Sequence, residues 1–335
     1  KQRAFMYKPI QIAEILYRYR TEPVQHGLSN LSNKEAYRNS SKRWRDEITR
    51  RLIGRVCTSS QKYQDNLFEE NAVPPPVLQE LAEVNNQFGG VVERYIYQQF
   101  AERQVAIQSI ADYLKRNPDE FSIAEFLRKF EQSKGLKKSI DKAYEITVYA
   151  LFNAVLDAVS VRVEISVNTD KLSEMREFED LVRRLVGVSL EQPSRHIRAQ
   201  LFRAGVANAA DRGIDMWANF GPIVQVKHVN LHEDLAEDII ENTTADEVVI
   251  VCRDADAEMV ERLLRQLGHR IRGIIRESEL IEWYSVAFGK YRRELGETIL
   301  TNLRGSFREE FPFSEELSAF YKERGYDSIP KPDTE

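Results

Sequence analysis

The sequence predicts a mixed α/β fold, in which a helical N-terminal region precedes a central mixed sheet that helices cover on both faces. Residues 1–135 carry apolar residues at helical spacing and few strand signals. From residue 140 onward, short runs rich in β-branched residues alternate with helical segments. A hairpin signal lies among them, and strands that alternate with helices after a hairpin are typical of a mixed sheet.

The N-terminal region is predicted to be a set of amphipathic helices joined by short breaks. Pro74, Pro75 and Pro76 end one of these helices, because proline lacks the amide donor that a helix interior needs. A polar stretch at 133–139 that contains Gly135 marks a domain boundary. The predicted helices cover residues 11–19, 34–56, 77–85, 91–114 and 122–132.

The second region carries the alternating elements of the sheet. Helices are predicted at 140–158, 171–185, 233–241, 257–267 and 279–311, and strands at 161–167, 199–206, 247–252 and 270–275. We divide the chain into a helical domain over 1–135, a second domain over 136–312 that contains the sheet, and a loosely held tail over 313–335.

The predicted hairpin between residues 215 and 227 groups polar residues on one face. Residues two apart on a strand point to the same side, so Gln225 and Lys227 share a face. Val224 and Val226 then point to the opposite side, against a layer of helices. The polar pair is expected to face a cleft.

Strand register decides whether Asp215 joins that polar face, because a slip of one residue turns every side chain to the other side. If Trp217 pairs with Ile223, residues 218–222 form the loop and Asp215 lies opposite Gln225. A pairing one residue along would turn the carboxylate away unless a β-bulge restored it. We predict the pairing of Trp217 with Ile223.

A carboxylate, an amide oxygen and an ammonium on one face suit hydrolysis of a phosphodiester with Mg²⁺, which prefers oxygen ligands and takes one or two carboxylates. Asp215 would be the anionic ligand, and the Gln225 side-chain oxygen and the Val226 carbonyl would be neutral ligands. Lys227 would orient the attacking water or stabilise developing charge. The spacing alone is a weak signal, since in a charged chain of this length it is more often a solvated hairpin.

The wider run at 205–228, together with residues 144–151 and 247–253, resembles the HaeII family of type II restriction endonucleases. The resemblance covers most of residues 30–312. It implies a PD-(D/E)xK nuclease core, with Asp215 and the triplet Gln225, Val226 and Lys227 on its motif. The chain departs from the commoner Glu-x-Lys form, and a neutral Gln binds metal more weakly than Glu does.

The same resemblance implies a reaction and its partners. The expected activity is Mg²⁺-dependent cleavage of double-stranded DNA at the GC-rich palindrome RGCGCY, leaving a 5′-phosphate and a 3′-hydroxyl. A homodimer matches a palindrome most economically, and the helical domain would serve DNA binding or dimerisation. A cognate DNA methyltransferase would act on the same site without being a stable partner. The alternatives are a repair, junction-resolving or modification-dependent nuclease, or a DNA-binding protein without catalysis.

A second acid is expected to compensate for the neutral Gln225. Glu145 interrupts an otherwise apolar helical stretch that should pack beside the sheet, and by analogy with this fold class it would be a ligand. An acid on the helix surface is the alternative explanation. Asp211 is the rival acid, although an acid that caps a turn explains it more simply.

Local basic patches must supply the affinity for DNA, because the formal net charge is −5. Residues 34–55 contain eight basic and three acidic side chains, and either a phosphate-binding helix or a solvated basic face would account for them. A second group of basic side chains lies near residue 196. These side chains would bind phosphate or form hydrogen bonds to guanine, and a solvated loop is the alternative explanation. The candidate contacts are Lys42, Arg43, Arg45, Arg50, Arg195, Arg198 and Arg203.

Composition and cysteine spacing speak against a membrane protein and against a structural metal site. Hydrophobic residues make up 42% of the chain, and no apolar stretch approaches the length of a membrane span, so a cytoplasmic protein without a membrane partner is expected. Cys57 and Cys252 lie far apart with no metal-binding spacing, and we expect free, reduced thiols in the core.

Overall fold

The structure is a computed structural model that describes residues 6–57, 61–70, 72–204, 214–227, 247–256, 258, 261 and 271–328. It confirms the mixed α/β class, with helices around a five-stranded mixed sheet in this part of the chain. The helix predicted at 233–241, most of that at 257–267, and Asp211 lie outside the described residues.

The N-terminal region is helical, as predicted. Pro74 and Pro75 begin α4 and do not end a helix, because the fixed φ of proline suits the first turn. Helix α1 packs against α2, α4 and α5, so its apolar residues form the centre of this region. The helices are α1 (Tyr7–Thr21), α2 (Arg38–Ile53), α3 (Gln61–Asp65), α4 (Pro75–Gln87), α5 (Val91–Tyr113) and α6 (Ile123–Gln132).

The second region contains one long helix, seven described strands and two short helices. Its elements are α7 (Ile140–Ala158), β1 (Arg162–Ser166), α8 (Leu172–Glu177), α9 (Glu179–Leu185), β2 (Ser194–Arg198), β3 (Leu201–Arg203), β4 (Met216–Ala218), β5 (Ile223–Lys227), β6 (Val248–Cys252) and β7 (Ile271–Arg276). The helix predicted at 171–185 is therefore divided at Phe178, and the strand at 194–198 was not predicted.

The main sheet has the strand order β3-β4-β5-β6-β7. The first three strands are antiparallel to their neighbours, whereas β5, β6 and β7 run parallel. Helix α7 packs on β3 and β5, where Val224 and Val226 are buried as predicted. The face of β5 that packs on α7 is thus apolar, and its polar residues lie on the other face.

Strands β1 and β2 form a separate antiparallel ribbon. Exposed and half-buried residues alternate along both strands, so one face of the ribbon is open. Sequence analysis missed β2 because its five residues include a single aliphatic side chain, Ile197, and so lack the alternation that identifies a strand.

The C-terminal part packs on both regions. The single helix predicted at 279–311 consists of α10 (Glu277–Gly289), a π-helical turn (Arg292–Gly296) and α11 (Glu297–Glu310). The expectation of a loose tail is wrong for residues 317–328. Helix α12 (Leu317–Arg324) buries Phe320, and Tyr326 follows it into the apolar cluster between α1, α2 and α5.

Both cysteines are free and buried, as predicted. Among the described helices, none combines the length and apolar character that crossing a membrane requires.

We predict that Phe320→Ala lowers the free energy of unfolding by about 3–5 kcal/mol, because the ring is fully buried and its loss leaves a cavity. The ring packs against Tyr97 with 4.7 Å between centroids. Urea unfolding measures the change, and Val24→Ala, at a position 94% exposed, is the control with an effect within about 0.5 kcal/mol. Equal stability of the two variants would show that α12 is not part of the core.

Candidate active site

The β4–β5 hairpin has the predicted register. Trp217 pairs with Ile223, and Met216 pairs with Val224. Continuing this antiparallel register by one residue sets Asp215 opposite Gln225. The loop turns through Gly221, whose φ of 120° is a conformation that other residues rarely adopt.

A hydrogen bond fixes the carboxylate of Asp215 against β5. The backbone amide of Val226 donates to Asp215 Oδ2 at 2.8 Å. Asp215 itself is half-buried, so its carboxylate is held by the strand and remains accessible. The structure thus shows Val226 bonding to Asp215 through its amide. That the Val226 carbonyl binds the metal stays a prediction.

Gln225 precedes Val226 on β5 and is only 1% exposed. Its side-chain oxygen Oε1 is buried and accepts no hydrogen bond from the described residues. Burial without a partner costs about 1–3 kcal/mol, so such an atom calls for an explanation. Lys227 continues β5, paired with Cys252 in the sheet, and its side chain is outside the described part of the structure.

Glu145 is buried on α7, 3% exposed, so its interpretation as an acid on the helix surface is wrong. Lys142, one helical turn earlier, donates from Nζ to Glu145 Oε2 at 2.6 Å and also contacts Oε1. Burial raises the pKa of Glu145 well above its usual range, and the nearby carboxylate of Asp215 raises it further. The carboxylate of Asp215 thus lies close enough to act electrostatically on Glu145, and the ligand role of Glu145 stays a prediction.

A buried ion pair lies near Glu145. Arg203 on β3 donates from Nη2 to Glu310 Oε2 on α11 at 3.1 Å, and the two side chains are 10% and 3% exposed. Glu310 also raises the pKa of Glu145. The prediction that Arg203 reads bases is therefore wrong, because the buried carboxylate holds its guanidinium inside the protein.

Sequence analysis missed two members of this cluster, Lys142 and Glu310. The spacing of three residues between Lys142 and Glu145 was a usable signal, since such residues share a helix face. Glu310 lies in a charge-rich stretch far along the chain, and no local pattern distinguishes it from its neighbour Glu309. Only the packing of α11 beside α7 brings Glu310 to the site.

The site fits a hard divalent cation with few protein ligands. The described residues include no group of three His, Cys, Asp or Glu side chains able to hold a metal. Mg²⁺ needs fewer, because it keeps several waters and takes one or two carboxylates. Asp215 and Glu145 supply two neighbouring acids, and the unpaired oxygen of Gln225 is the neutral donor that such an ion accepts.

The basic residues of α2 differ in how far they are exposed to solvent. Arg45 is 1% exposed, and its guanidinium donates to Gln11 and Gln64 and pairs with Asp46. The prediction that Arg45 binds DNA is therefore wrong, because it lies on the buried face of the helix with Ile48.

Three other residues on α2 were also predicted to contact DNA. Lys42 is 14% exposed at its side chain and pairs with Asp65 at 2.5 Å. Arg43 and Arg50 are exposed, so of these residues they are the two that α2 presents to solvent.

The two remaining arginines lie on opposite faces of the β1–β2 ribbon. Arg195 is half-buried on the inner face, where its guanidinium packs over Gly187. Gly187 has a φ of +78°, and a Cβ there would lie 2.3 Å from Arg195 Nη1, so only glycine permits this contact. Arg198 is on the open face, with 57% of its side chain exposed and Asp157 at 2.6 Å.

Comparison with known proteins gives one consistent family. A model described as HaeII restriction endonuclease matches residues 1–326. The chain is 46% identical to type II restriction enzyme HaeII of Haemophilus aegyptius over 332 residues, which cover 97% of this chain and 93% of that protein. It is 44% identical to type II restriction enzyme NgoBI of Neisseria gonorrhoeae over 337 residues, with 98% and 93% covered. No solved structure matches the chain.

We predict that Arg203→Ala lowers the free energy of unfolding by about 3–5 kcal/mol, because it leaves the Glu310 carboxylate buried without its cation. Arg198→Ala removes the same charge from an exposed pair and should cost about 1 kcal/mol or less. Urea unfolding compares the two variants.

Addition of Glu310→Gln to the Arg203→Ala variant should recover part of the loss, because the uncompensated charge is then gone. Equal losses for Arg203→Ala and Arg198→Ala would contradict a structural role for Arg203.

Proposed function

The chain belongs to the HaeII restriction endonuclease family, and from that premise we propose that it cleaves duplex DNA at a short palindrome with the aid of Mg²⁺. The names of its relatives support site-specific cleavage. The observation that carries the proposal is the buried Oε1 of Gln225, which accepts no hydrogen bond from the described residues and lies on the strand that holds the Asp215 carboxylate. A protein that needed this hairpin only for stability would have no reason to leave that oxygen without a donor.

Asp215, Gln225 and Glu145 are the residues that would hold the metal ion. When bound, Mg²⁺ supplies a Lewis acid that polarises the scissile phosphate and lowers the pKa of a bound water. The Val226 amide keeps the Asp215 carboxylate in place. Lys142 bonds to Glu145 and offsets part of the rise in its pKa that burial and Asp215 cause.

The reaction is a hydrolysis in which a water oxygen forms a bond to phosphorus and the bond from phosphorus to O3′ breaks. A proton passes to O3′, so the products are a 3′-hydroxyl and a 5′-phosphate. Lys227, two residues after Gln225 on β5, would orient the water or stabilise charge on the phosphoryl oxygens.

The proposed target is the GC-rich palindrome RGCGCY that the family resemblance implies. A palindrome presents the same half-site on each strand, so two copies of the chain related by a two-fold axis would place one active site at each scissile bond. A cognate methyltransferase that modifies the same sequence would protect the host DNA.

We predict that Asp215→Ala reduces cleavage of plasmid DNA with Mg²⁺ by at least about a hundredfold, because a metal ligand contributes several kcal/mol to the reaction. Binding to DNA should persist, since the buried valines of β5 that pack on α7 keep the hairpin in register when this half-buried side chain is removed. Asp180→Ala, which removes an exposed acid from α9, is the control and should cut like the wild type.

Mapping the ends of the fragments tests the target in the same digest. Discrete bands with ends inside RGCGCY are expected. Cleavage only of branched or methylated DNA would contradict the proposal and favour a repair, junction-resolving or modification-dependent nuclease. A wild-type protein that binds DNA but leaves it intact with Mg²⁺ would favour a DNA-binding protein without catalysis.

A second prediction concerns Gln225→Met, which replaces the unpaired oxygen with an apolar group of similar size. Without metal, the free energy of unfolding should rise by about 1 kcal/mol, because a buried polar atom without a partner has been removed. The increase in melting temperature that Mg²⁺ gives the wild type should disappear. Gln192→Met at an exposed position should leave both measurements unchanged. A variant that is less stable but keeps its response to Mg²⁺ would contradict the ligand role.

A further inference from the structure

We propose that the open face of the β1–β2 ribbon enters the major groove of the DNA and reads G·C base pairs there. The inference rests on the proposed function, since it names the element that gives the endonuclease its sequence preference. It depends on the pairing of the two strands, on their charges and on their attachment to the active-site hairpin.

The open face of the ribbon consists of three cross-strand pairs of polar residues. Their partners lie directly opposite one another in the antiparallel register. All six are exposed, whereas the residues between them are half-buried on the inner face. The three pairs are Arg162 with Arg198, Glu164 with His196, and Ser166 with Ser194.

The arginine pair is unfavourable for the free protein. Like charges directly opposite each other on a sheet face repel, and Arg162 makes no ion pair with any residue that the structure describes. Arg198 pairs with Asp157, but that contact is exposed and therefore weak. Two guanidinium groups held side by side on a surface are explained by a partner rich in hydrogen-bond acceptors and negative charge, and duplex DNA is such a partner.

The dimensions of the ribbon suit the major groove. Strands in a sheet lie about 4.8 Å apart, and the groove is about 12 Å wide, which admits a two-stranded ribbon with its side chains. Five residues of a strand span about 14 Å between their first and last Cα atoms, or about four base-pair steps. One ribbon can therefore read about half of a palindromic site.

The side chains of the open face match the edges of G·C pairs. Arginine donates two hydrogen bonds to O6 and N7 of guanine, and a glutamate carboxylate accepts from the N4 amino group of cytosine. Arg162 and Glu164, two residues apart on one face of β1, offer both kinds of contact. His196 and the serines add smaller polar groups beside them.

Asn219 ties this ribbon to the active-site hairpin. It lies in the β4–β5 loop, where its side-chain Nδ2 donates to the carbonyl oxygen of Arg198 at 2.8 Å. The amide of Gln200 donates to Asn219 Oδ1 at 2.9 Å, and the amide of Asn219 donates to the carbonyl of Gln200 at 3.1 Å. The end of the ribbon is therefore fixed to the loop of the hairpin whose strands hold Asp215, which couples base reading to the place of cleavage.

The test is a binding selection from duplexes with a randomised central segment. It is done with Asp215→Ala protein, so that DNA is bound but not cut, and with the same protein that also carries Arg162→Ala or Arg198→Ala. Arg184→Ala, which removes an exposed arginine of α9 outside the ribbon, is the matched control. Thermal unfolding checks that each variant is folded.

We expect each ribbon variant to lose its preference for guanine at one position of each half-site by about 5- to 150-fold, while the other positions and the Arg184 control keep theirs. Binding that weakens equally for all sequences would overturn the proposal, because it would identify phosphate contacts. Unchanged preferences would overturn it as well. Failure of the proposed function is a separate observation, namely that the wild type leaves DNA uncut with Mg²⁺.

Discussion

The hydrogen bond from the Val226 amide to the Asp215 carboxylate is the interaction on which the organisation of the site depends. It joins the end of β4 to β5 in the one register that sets Asp215 opposite Gln225. A slip of one residue would exchange this polar face with the valines that pack on α7, and the core and the site would be lost together. The burial of Val224 and Val226 therefore enforces the geometry of the acid.

Buried charge is the second constraint. Glu145 and Glu310 are removed from water beside the half-buried Asp215, and each of these two buried acids has its own cation, Lys142 or Arg203. Pairs of this kind contribute little net stability, because desolvation offsets the attraction between the charges. These pairs place acids at a fixed position, near an amide oxygen of Gln225 that accepts no hydrogen bond from the described residues.

The same hairpin connects the site to the rest of the molecule. Its loop is bonded through Asn219 to the end of the β1–β2 ribbon, and its strand β5 continues into the parallel half of the sheet. The open face of the ribbon is thus carried by the element that holds the proposed metal ligand. Direct hydrogen bonds thus set the position of the ribbon relative to the hairpin.

The sequence by itself determined the mixed fold class, the hairpin register and the family, because these depend on local alternation, turn residues and a motif that lie within short stretches. Tertiary structure decided the rest. It buried Arg45 and Arg203, which look like DNA contacts in a list of basic residues, because the faces on which they lie pack against other elements. It also brought Glu310 beside Glu145 and packed α12 into the N-terminal core, since contacts between distant segments leave no periodic pattern in the chain.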